Sequence, residues 1–233
     1  MKNKEKVCVD CGGNQPMAPM KCLNNITELV FIIDESGSMD NLTADTIGGF
    51  NSMIEKQKKL DGKAYVSTVL FSNTSEVLHD RVDLQSVRPM TDEDYVPNGC
   101  TALLDAIGGA IHHIRNVHKY ARPEDVPERT LFVITTDGME NASREYTYAK
   151  VKKMIRQAEE KQGWEFLFVA ANIDAAETAE CMGIRRERAA NYRQDAEGTE
   201  KLYLTMSDVV CNYRAGKAVS DDWADGLDEE SDK

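Results

Sequence analysis

The 233-residue chain has little positive charge and no long apolar run, and these two absences exclude several classes of protein. It carries 28 Lys and Arg against 40 Asp and Glu, so its formal net charge is −12. Nucleic acids and anionic membranes bind basic surfaces, which this composition does not supply. No apolar stretch approaches the roughly 20 residues that span a bilayer. We therefore expect neither a nucleic-acid partner nor a membrane partner.

An export signal is also missing from the N-terminal residues of the sequence. Met1–Lys6 is basic, but Val7-Cys8-Val9-Asp10 is not the apolar core of a signal peptide. Without export, the six cysteines are expected to be thiols in a reducing compartment. The sequence therefore predicts a cytoplasmic protein.

The motifs of three enzyme classes are absent as well. There is no G-x-G-x-x-G after the first predicted strand for a dinucleotide, and no G-x-S-x-G elbow for a hydrolase serine. His112, His113 and His118 lie on one predicted helix, and we interpret them as surface residues. A phosphatase with a strand-end Asp nucleophile needs a second acid two residues on, where this chain has Ser36. We expect no enzymatic activity, and a Mg²⁺-dependent phosphohydrolase-like enzyme is the alternative.

Short apolar segments alternate with helical patterns along the chain. Strands are expected over 29–33, 64–71, 76–82, 130–136, 164–171 and 189–192. Helices are expected from Asp40 or Asn41 to about 60, and over 103–117, 144–162, 174–182 and 202–213. This alternation predicts an α/β fold with a doubly wound, mostly parallel sheet, one antiparallel edge strand at 76–82, and helices on both faces.

Two glycine pairs lie in the middle of predicted helices. They are Gly48-Gly49 and Gly108-Gly109. Glycine lowers helix stability, so we expect each pair to permit a close approach of its helix to the sheet.

Polar side chains follow the apolar run 29–33. Asp34 ends the run, and Ser36 and Ser38 follow, with Gly37 between them to let the backbone turn. Carboxylate and hydroxyl oxygens suit Mg²⁺, Mn²⁺ or Ca²⁺ rather than Zn²⁺ or copper. Taken alone, the stretch favours turn or helix-capping chemistry over a metal site.

Two further polar residues occupy comparable positions later in the chain. Thr101 directly precedes a predicted helix, and Asp137 directly follows the strand 130–136. Open α/β sheets bind their ligands at the carboxyl ends of the strands. The crevice at that edge can therefore bring Asp34, Ser36, Ser38, Thr101 and Asp137 together as a metal site.

These segments resemble the metal-ion-dependent adhesion site (MIDAS) of von Willebrand factor type A (VWA) domains. The matching segments are Asp34-Glu35-Ser36-Gly37-Ser38, Gly99-Cys100-Thr101-Ala102-Leu103 and Thr136-Asp137-Gly138. The resemblance covers about residues 27–215 and includes order and spacing. It implies a Rossmann-like VWA fold that binds a divalent cation and captures an acidic residue of a partner protein. A structural module with an empty site is the alternative.

The resemblance also implies a role for each ligand and a class of partner. Ser36 and Ser38 bind the ion directly, Asp34 and Asp137 hold it partly through water, and Thr101 binds directly or through water. The last coordination position belongs to an Asp or Glu of the partner. The compact form resembles stand-alone bacterial and phage domains, whose relatives often act as adaptors beside AAA+ ATPases, chelatases or stress-resistance systems.

The N-terminal extension, residues 1–25, carries a candidate zinc site. Cys8 and Cys11 form a Cys-x₂-Cys pair beside glycine, and Cys22 adds a third thiol. Structural Zn²⁺ needs four ligands, so the fourth would come from elsewhere. The alternative is an extension whose cysteines have no role in the folded protein.

The C-terminal residues 217–233 are rich in Asp and Glu and are predicted to be disordered. Their carboxylates could serve the metal site as internal ligands, and a solubilising tail is the alternative. The resemblance implies that residues 26–216 form the VWA domain.

Overall fold

Strand β1 (Ile26–Asp34) is buried along its whole length and lies between two parallel neighbours. The computed structural model describes residues 25–227. Within them, six strands form one sheet in the order β3-β2-β1-β4-β5-β6. The other strands are β2 (Lys63–Phe71), β3 (Ser75–Asp83), β4 (Arg129–Thr136), β5 (Glu165–Ala170) and β6 (Ala189–Asn191). Only β3 runs antiparallel to its neighbour, as predicted for the edge strand.

Five α-helices cover the two faces of this sheet in the described part of the chain. They are α1 (Thr43–Lys58), α2 (Leu103–Tyr120), α3 (Tyr148–Gln162), α4 (Ala175–Met182) and α5 (Ala196–Arg214). Helices α1 and α5 share one core with Leu29 and Phe31, and α2, α3 and α4 share the other with Val30 and Ile32. Both faces of β1 are therefore covered, which explains its continuous apolar sequence. The predicted doubly wound α/β fold is confirmed.

The strand order places β1 and β4 at the point where the sheet changes direction. From β1 the chain first builds outward through β2 and β3, and then returns to build β4, β5 and β6 on the other side. Loops that leave two such adjacent strands separate and open a crevice between them. Asp34 ends β1 and Asp137 directly follows β4, so both acids face this crevice.

Two helix starts differ from the predicted ones. Residues Gly37–Leu42 form a 3₁₀ turn, so α1 begins at Thr43 rather than at Asp40 or Asn41. Helix α3 begins at Tyr148 instead of 144, because the Asp105 carboxylate accepts the backbone N–H groups of residues 144–146. These N–H groups are thereby held in a loop conformation. The side chain competes with helix formation for them, and the periodicity of the sequence gives no sign of this competition.

The two glycine pairs serve contacts other than those predicted. A Cβ on Gly49 would lie 2.3 Å from Cδ2 of Tyr203 on α5, and a Cβ on Gly108 would lie 2.2 Å from Cδ1 of Tyr146. Gly48 and Gly109 have nothing within 4 Å. The prediction of close helix-to-sheet packing was therefore wrong: one glycine of each pair accommodates a tyrosine ring.

The C-terminal segment is packed as far as residue 227, so the prediction of disorder from 217 was wrong for residues 217–227. Val219, Trp223 and Leu227 are buried against the α1–α5 core. Arg188, which directly precedes β6, donates to Oδ1 of Asp221 at 2.7 Å. This contact holds Asp221 at the amino-terminal edge of the sheet, away from the candidate metal site. Residues 228–233 lie outside the described part.

A buried ionic cluster lies near the amino-terminal edge of the sheet. The side chain of Glu28 on β1 is fully buried, and both of its oxygens accept Nε–H of Arg81 at 2.9 Å. Nε2 of His118 lies 2.9 Å from Oε2 of Glu28. The interpretation of His118 as a surface residue was wrong, because its ring reaches from the end of α2 to this carboxylate and is 10% exposed.

No helix between residues 25 and 227 has the length and apolarity to cross a membrane.

Candidate metal site

Asp34 stands at the carboxyl end of β1 with no exposed surface. Its Oδ1 accepts the backbone N–H of Ser36 at 2.7 Å, and its Oδ2 accepts the Thr136 hydroxyl at 2.5 Å. Its backbone carbonyl accepts the hydroxyl of Tyr95 at 2.6 Å. Two donors therefore fix the orientation of the carboxylate, and the third holds the backbone of the same residue.

The loop after β1 carries the two serine hydroxyls toward each other. Oγ of Ser36 lies 3.2 Å from Oγ of Ser38, and Ser38 donates its hydroxyl to Oδ1 of Asp137 at 2.7 Å. Gly37 between them donates its N–H to the carbonyl of Gly99 at 3.2 Å. Ser36 is buried and Ser38 is exposed, so the pair extends from the interior to the surface.

Asp137 is 2% exposed, and hydrogen bonds occupy both of its carboxylate oxygens. Oδ1 accepts from Ser38, and Oδ2 accepts Nε2–H of Gln194 at 2.5 Å. Oε1 of Gln194 accepts Nδ2–H of Asn172 at 2.5 Å, and the same amide group of Asn172 donates to the Asp137 carbonyl at 3.1 Å. These contacts make Gln194 and Asn172 part of the site.

Sequence reasoning missed both amide residues. Asn172 follows β5 and Gln194 follows β6, so each occupies a strand-end position like that of Asp34. The rule that ligands bind beyond the carboxyl ends of parallel strands would have found them, but it was applied only to residues with carboxylate or hydroxyl groups.

Thr101 is 4% exposed and lies in the loop before α2. Its N–H donates to Oδ1 of Asn141 at 2.9 Å, and its carbonyl accepts the N–H of Asn141 at 3.1 Å. This pairing joins the Thr101 loop to the chain that follows Asp137. In the described part of the chain, hydrogen bonds connect Asp34 with Ser36, Ser36 with Ser38, and Ser38 with Asp137, and none of these bonds includes Thr101.

Burial raises the pKa of Asp34, and the nearby charge of Asp137 raises it further, although hydrogen bonds from Thr136 and Ser36 oppose the rise. Burial likewise raises the pKa of Asp137, against the hydrogen bond from Ser38. All the hydrogen-bond partners of both carboxylates within residues 25–227 are neutral groups. Two buried acids with neutral partners retain an electrostatic cost that a bound cation would remove.

The donor set fits a hard divalent cation. It consists of two carboxylates and three hydroxyls, all oxygen, as Mg²⁺, Mn²⁺ and Ca²⁺ prefer. Residues 25–227 contain no group of three or more His, Cys, Asp or Glu side chains that could hold a metal ion, so the candidate site depends on hydroxyl oxygens beside its two carboxylates. Cys8, Cys11 and Cys22, the candidate zinc ligands, lie outside the described residues.

Comparison with known proteins establishes the fold but no closer relationship. No protein-family model matches the sequence, and no curated protein matches it. The D319A mutant of the PilB minor pilin from Streptococcus sanguinis superimposes with a TM-score of 0.59 at 11% identity, over 86% of this chain and 65% of the pilin. A von Willebrand factor type A protein from Catenulispora acidiphila gives 0.55 at 14% identity, over 78% and 42%.

A third structure carries a metal. Proximal thread matrix protein 1 from the mussel byssus, with a zinc-occupied MIDAS motif, gives a TM-score of 0.53 at 13% identity, over 79% of this chain and 46% of that protein. This chain spans less than two thirds of the length of each of the three proteins. The chain therefore has a VWA-like fold, as the sequence resemblance predicted.

Proposed function

We propose that this chain is a metal-dependent protein-interaction module. It binds a divalent cation through Asp34, Ser36, Ser38, Thr101 and Asp137, and through that cation it captures an Asp or Glu side chain of a partner protein. The observation that carries the proposal is the contact between Ser38 and Asp137, which unites the oxygen ligands of two separate loops at 2.7 Å.

The hydrogen bonds of the site leave room for a further anionic ligand. Ser38 can donate its proton to Asp137 and still offer an oxygen lone pair to an ion. Asp34 and Asp137 remain engaged with Thr136, Ser38 and Gln194, so they act on the ion mainly through water. Asp34 and Asp137 would hold a divalent cation in this way, and the cation would supply the positive charge that attracts a carboxylate of a partner.

The choice of ion follows from the donors. Mg²⁺ is the first candidate, with Mn²⁺ or Ca²⁺ as alternatives, because all five ligands are hard oxygens. The zinc-occupied MIDAS motif of the mussel protein makes Zn²⁺ a further ion to test here.

Two exposed apolar side chains flank the site and support a protein partner. Met139, two residues after Asp137, is 71% exposed. Val96 is 53% exposed and lies two residues before Asn98, whose backbone N–H donates to the carbonyl of Glu35, the residue after Asp34, at 2.8 Å. We infer a partner segment in which apolar residues adjoin the acidic one. An AAA+ ATPase or a stress-resistance complex is the class that the sequence resemblance favours.

We propose binding rather than catalysis, because Ser36 stands where a phosphatase of this geometry needs its second acid. Cys100, Cys181 and Cys211 are free thiols, which supports a reducing, cytoplasmic location. The stand-alone bacterial or phage origin remains a prediction from the resemblance.

Calorimetric titration of Mg²⁺, Mn²⁺, Ca²⁺ and Zn²⁺ into chelator-stripped protein tests the proposal. The wild type is compared with Asp34→Asn, and with Asp208→Asn as a control that removes an exposed charge on α5. We expect saturable binding in the wild type and the control, tightened by acetate or a Glu-containing peptide, and none in Asp34→Asn. Failure of the wild type to bind any of the four ions would refute the function.

A further inference from the structure

Gln194 contacts the candidate metal site from the loop after β6, an element that supplies none of the proposed ligands. We propose that Gln194 is a positioning residue that holds Asp137 in the outer coordination shell and thereby preserves the affinity of the bound cation for the carboxylate of a partner. The inference rests on the proposed function. It identifies Gln194 as a residue that determines how strongly the metal-loaded site prefers a carboxylate ligand.

The first argument is that both carboxylate oxygens of Asp137 already accept hydrogen bonds that fix their orientation. Oδ1 accepts from Ser38 at 2.7 Å and Oδ2 accepts from Gln194 at 2.5 Å, and the residue is 2% exposed. Moving Oδ2 from Gln194 onto an ion would cost the short hydrogen bond to the half-buried Nε2 of Gln194 and leave that amide only the longer contact to the Ser38 carbonyl. The amide of Gln194 therefore opposes inner-shell binding by Asp137.

The second argument is that the amide of Gln194 has only one satisfactory orientation. Its Oε1 accepts from Asn172 at 2.5 Å, and its Nε2 also lies 3.3 Å from the Ser38 carbonyl. A flipped amide would place Oε1 against the Asp137 carboxylate and Nε2 against the amino group of Asn172. Both pairs would then be mismatched, so Asn172 fixes which group Gln194 presents to Asp137.

Asn172 is itself held in place. Its Nδ2 donates to the Asp137 carbonyl as well as to Gln194, at 3.1 Å and 2.5 Å. Its φ of 57° lies in the left-handed region, which Asn tolerates better than most residues. Two amides on two neighbouring strand ends thus form a short chain that terminates on one oxygen of Asp137.

The consequence is that the affinity for the ion and the affinity for the partner change in opposite directions. A carboxylate that ligates an ion directly neutralises part of its charge, and the ion then attracts a second carboxylate less strongly. Keeping Asp137 in the outer shell lowers the affinity for the ion alone and raises the affinity of the loaded site for an acidic side chain. Gln194 thereby controls both affinities without contacting the partner.

The test separates these two affinities. Mg²⁺ affinity is measured by calorimetry without and with a saturating Glu-containing peptide, for the wild type, Gln194→Ala, Gln194→Glu and Asn172→Gly. Glycine suits the backbone at position 172 and removes only the side chain. Gln85→Ala, which removes an exposed amide bound to the Lys58 carbonyl, is the matched control. Urea unfolding of each metal-free protein reports any loss of fold.

For Gln194→Ala we expect unchanged or tighter Mg²⁺ binding, and a loss of about tenfold in the tightening by peptide, equivalent to about 1.4 kcal/mol. Gln194→Glu should bind Mg²⁺ more tightly and lose the peptide effect, because its own carboxylate occupies the place beside Asp137. Asn172→Gly should also reduce the factor by which the peptide tightens Mg²⁺ binding, but by less than Gln194→Ala does. Gln85→Ala should resemble the wild type.

Two results would overturn the inference while the proposed function stands. One is an unchanged peptide effect in both Gln194 variants, with the wild type still tightened by peptide. The other is a loss of Mg²⁺ affinity and of peptide affinity by the same factor in the Gln194 variants. Gln194 would then stabilise the ion site without affecting its selectivity for carboxylates. A wild type that binds Mg²⁺ without any peptide effect would refute both the inference and the capture of a partner carboxylate.

Discussion

Ser38 donates its hydroxyl to Asp137 at 2.7 Å although the two residues are 99 positions apart in the chain. The contact bridges the loops that leave β1 and β4, the adjacent strands at which the sheet changes direction. Ser36 continues the hydrogen-bonded group to the buried end of β1. The position of the candidate site thus follows from strand order, and its chemistry follows from the residues at two strand ends.

Asp34→Asn should abolish ion binding with little loss of metal-free stability. Asn keeps the shape of the side chain and an acceptor for the Ser36 N–H, and it removes a buried charge whose hydrogen-bond partners are neutral. Urea unfolding at pH 7 without metal should therefore give a free energy at or above that of the wild type.

Mg²⁺ at about 100 times its Kd should then stabilise the wild type by about 2.7 kcal/mol and leave Asp34→Asn unchanged. Asp208→Asn should respond as the wild type does. A fall of several kcal/mol in the metal-free variant would show that the carboxylate has a structural role.

His79 should make the protein less stable as the pH falls below neutrality. Its ring is 3% exposed and bonds the Thr68 hydroxyl and the Arg88 carbonyl. Burial lowers its pKa, and the charges of Arg88 and Lys58 lower it further, whereas the bond to Arg88 and the charge of Asp94 oppose this. The unfolded chain thus takes up a proton at a higher pH than the folded protein does.

The stability supplied by neutral His79 is therefore complete above the unfolded pKa and is lost as the pH falls toward the folded pKa. The unfolding free energy of wild type and His79→Gln, measured between pH 8 and 5 as the range about the unperturbed value near 6.5, checks this. The difference between the two proteins should shrink or reverse toward pH 5. A pH-independent difference would contradict the assignment.

Gly49→Ala should destabilise the protein and Gly48→Ala should not. The added methyl at 49 would overlap the ring of Tyr203, so α1 and α5 must separate, at a cost of about 1–3 kcal/mol. At position 48 the methyl meets nothing within 4 Å, and the gain in helix propensity is up to about 1 kcal/mol. Chemical denaturation of the two variants compares the same substitution in adjacent helical positions, and equal effects would count against close α1–α5 packing.

Arg81→Met should cost about 3–5 kcal/mol, because it leaves the fully buried Glu28 carboxylate with His118 as its remaining partner. Arg122→Met is the control, since Arg122 is 73% exposed and its pairing with Asp125 is accessible to water. The double variant Glu28→Gln/Arg81→Met should lose less than the two single changes added together. Additive losses in the denaturation free energies would show that the pair is not coupled.

Val96→Thr should weaken the binding of an acidic peptide with apolar neighbours to the Mg²⁺-loaded protein by a few-fold. Val77→Thr provides an unusually close control, because Val77 is 54% exposed against 53% for Val96 but lies on the edge strand β3. The affinity of each variant is measured for the peptide with apolar neighbours and for a second peptide in which the Glu lies between glycines. Only the first peptide can make an apolar contact with residue 96. Equal losses in both variants would exclude a specific apolar contact at Val96.

Local sequence patterns were sufficient to predict the fold class and to nominate the polar residues of the candidate site. The buried run that ends at Asp34, the helix after Thr101 and the strand before Asp137 each follow from side chains that are close in sequence. Their meeting at one edge of the sheet follows from the rule for parallel strands. The hydroxyl and carboxylate chemistry of these residues predicts a hard divalent cation from the sequence alone.

Only the tertiary structure shows which distant side chains contact the residues of the candidate site and of the helices. Gln194 and Asn172 reach Asp137, and Tyr203 fills the space above Gly49, through contacts between segments that no periodic pattern connects. Trp223 packs on the core while its acidic neighbours Asp222 and Asp225 stay exposed, so the large apolar side chain is buried without desolvating those charges. Composition and periodicity describe what each segment prefers on its own, whereas these pairings depend on where the sheet brings separate segments together.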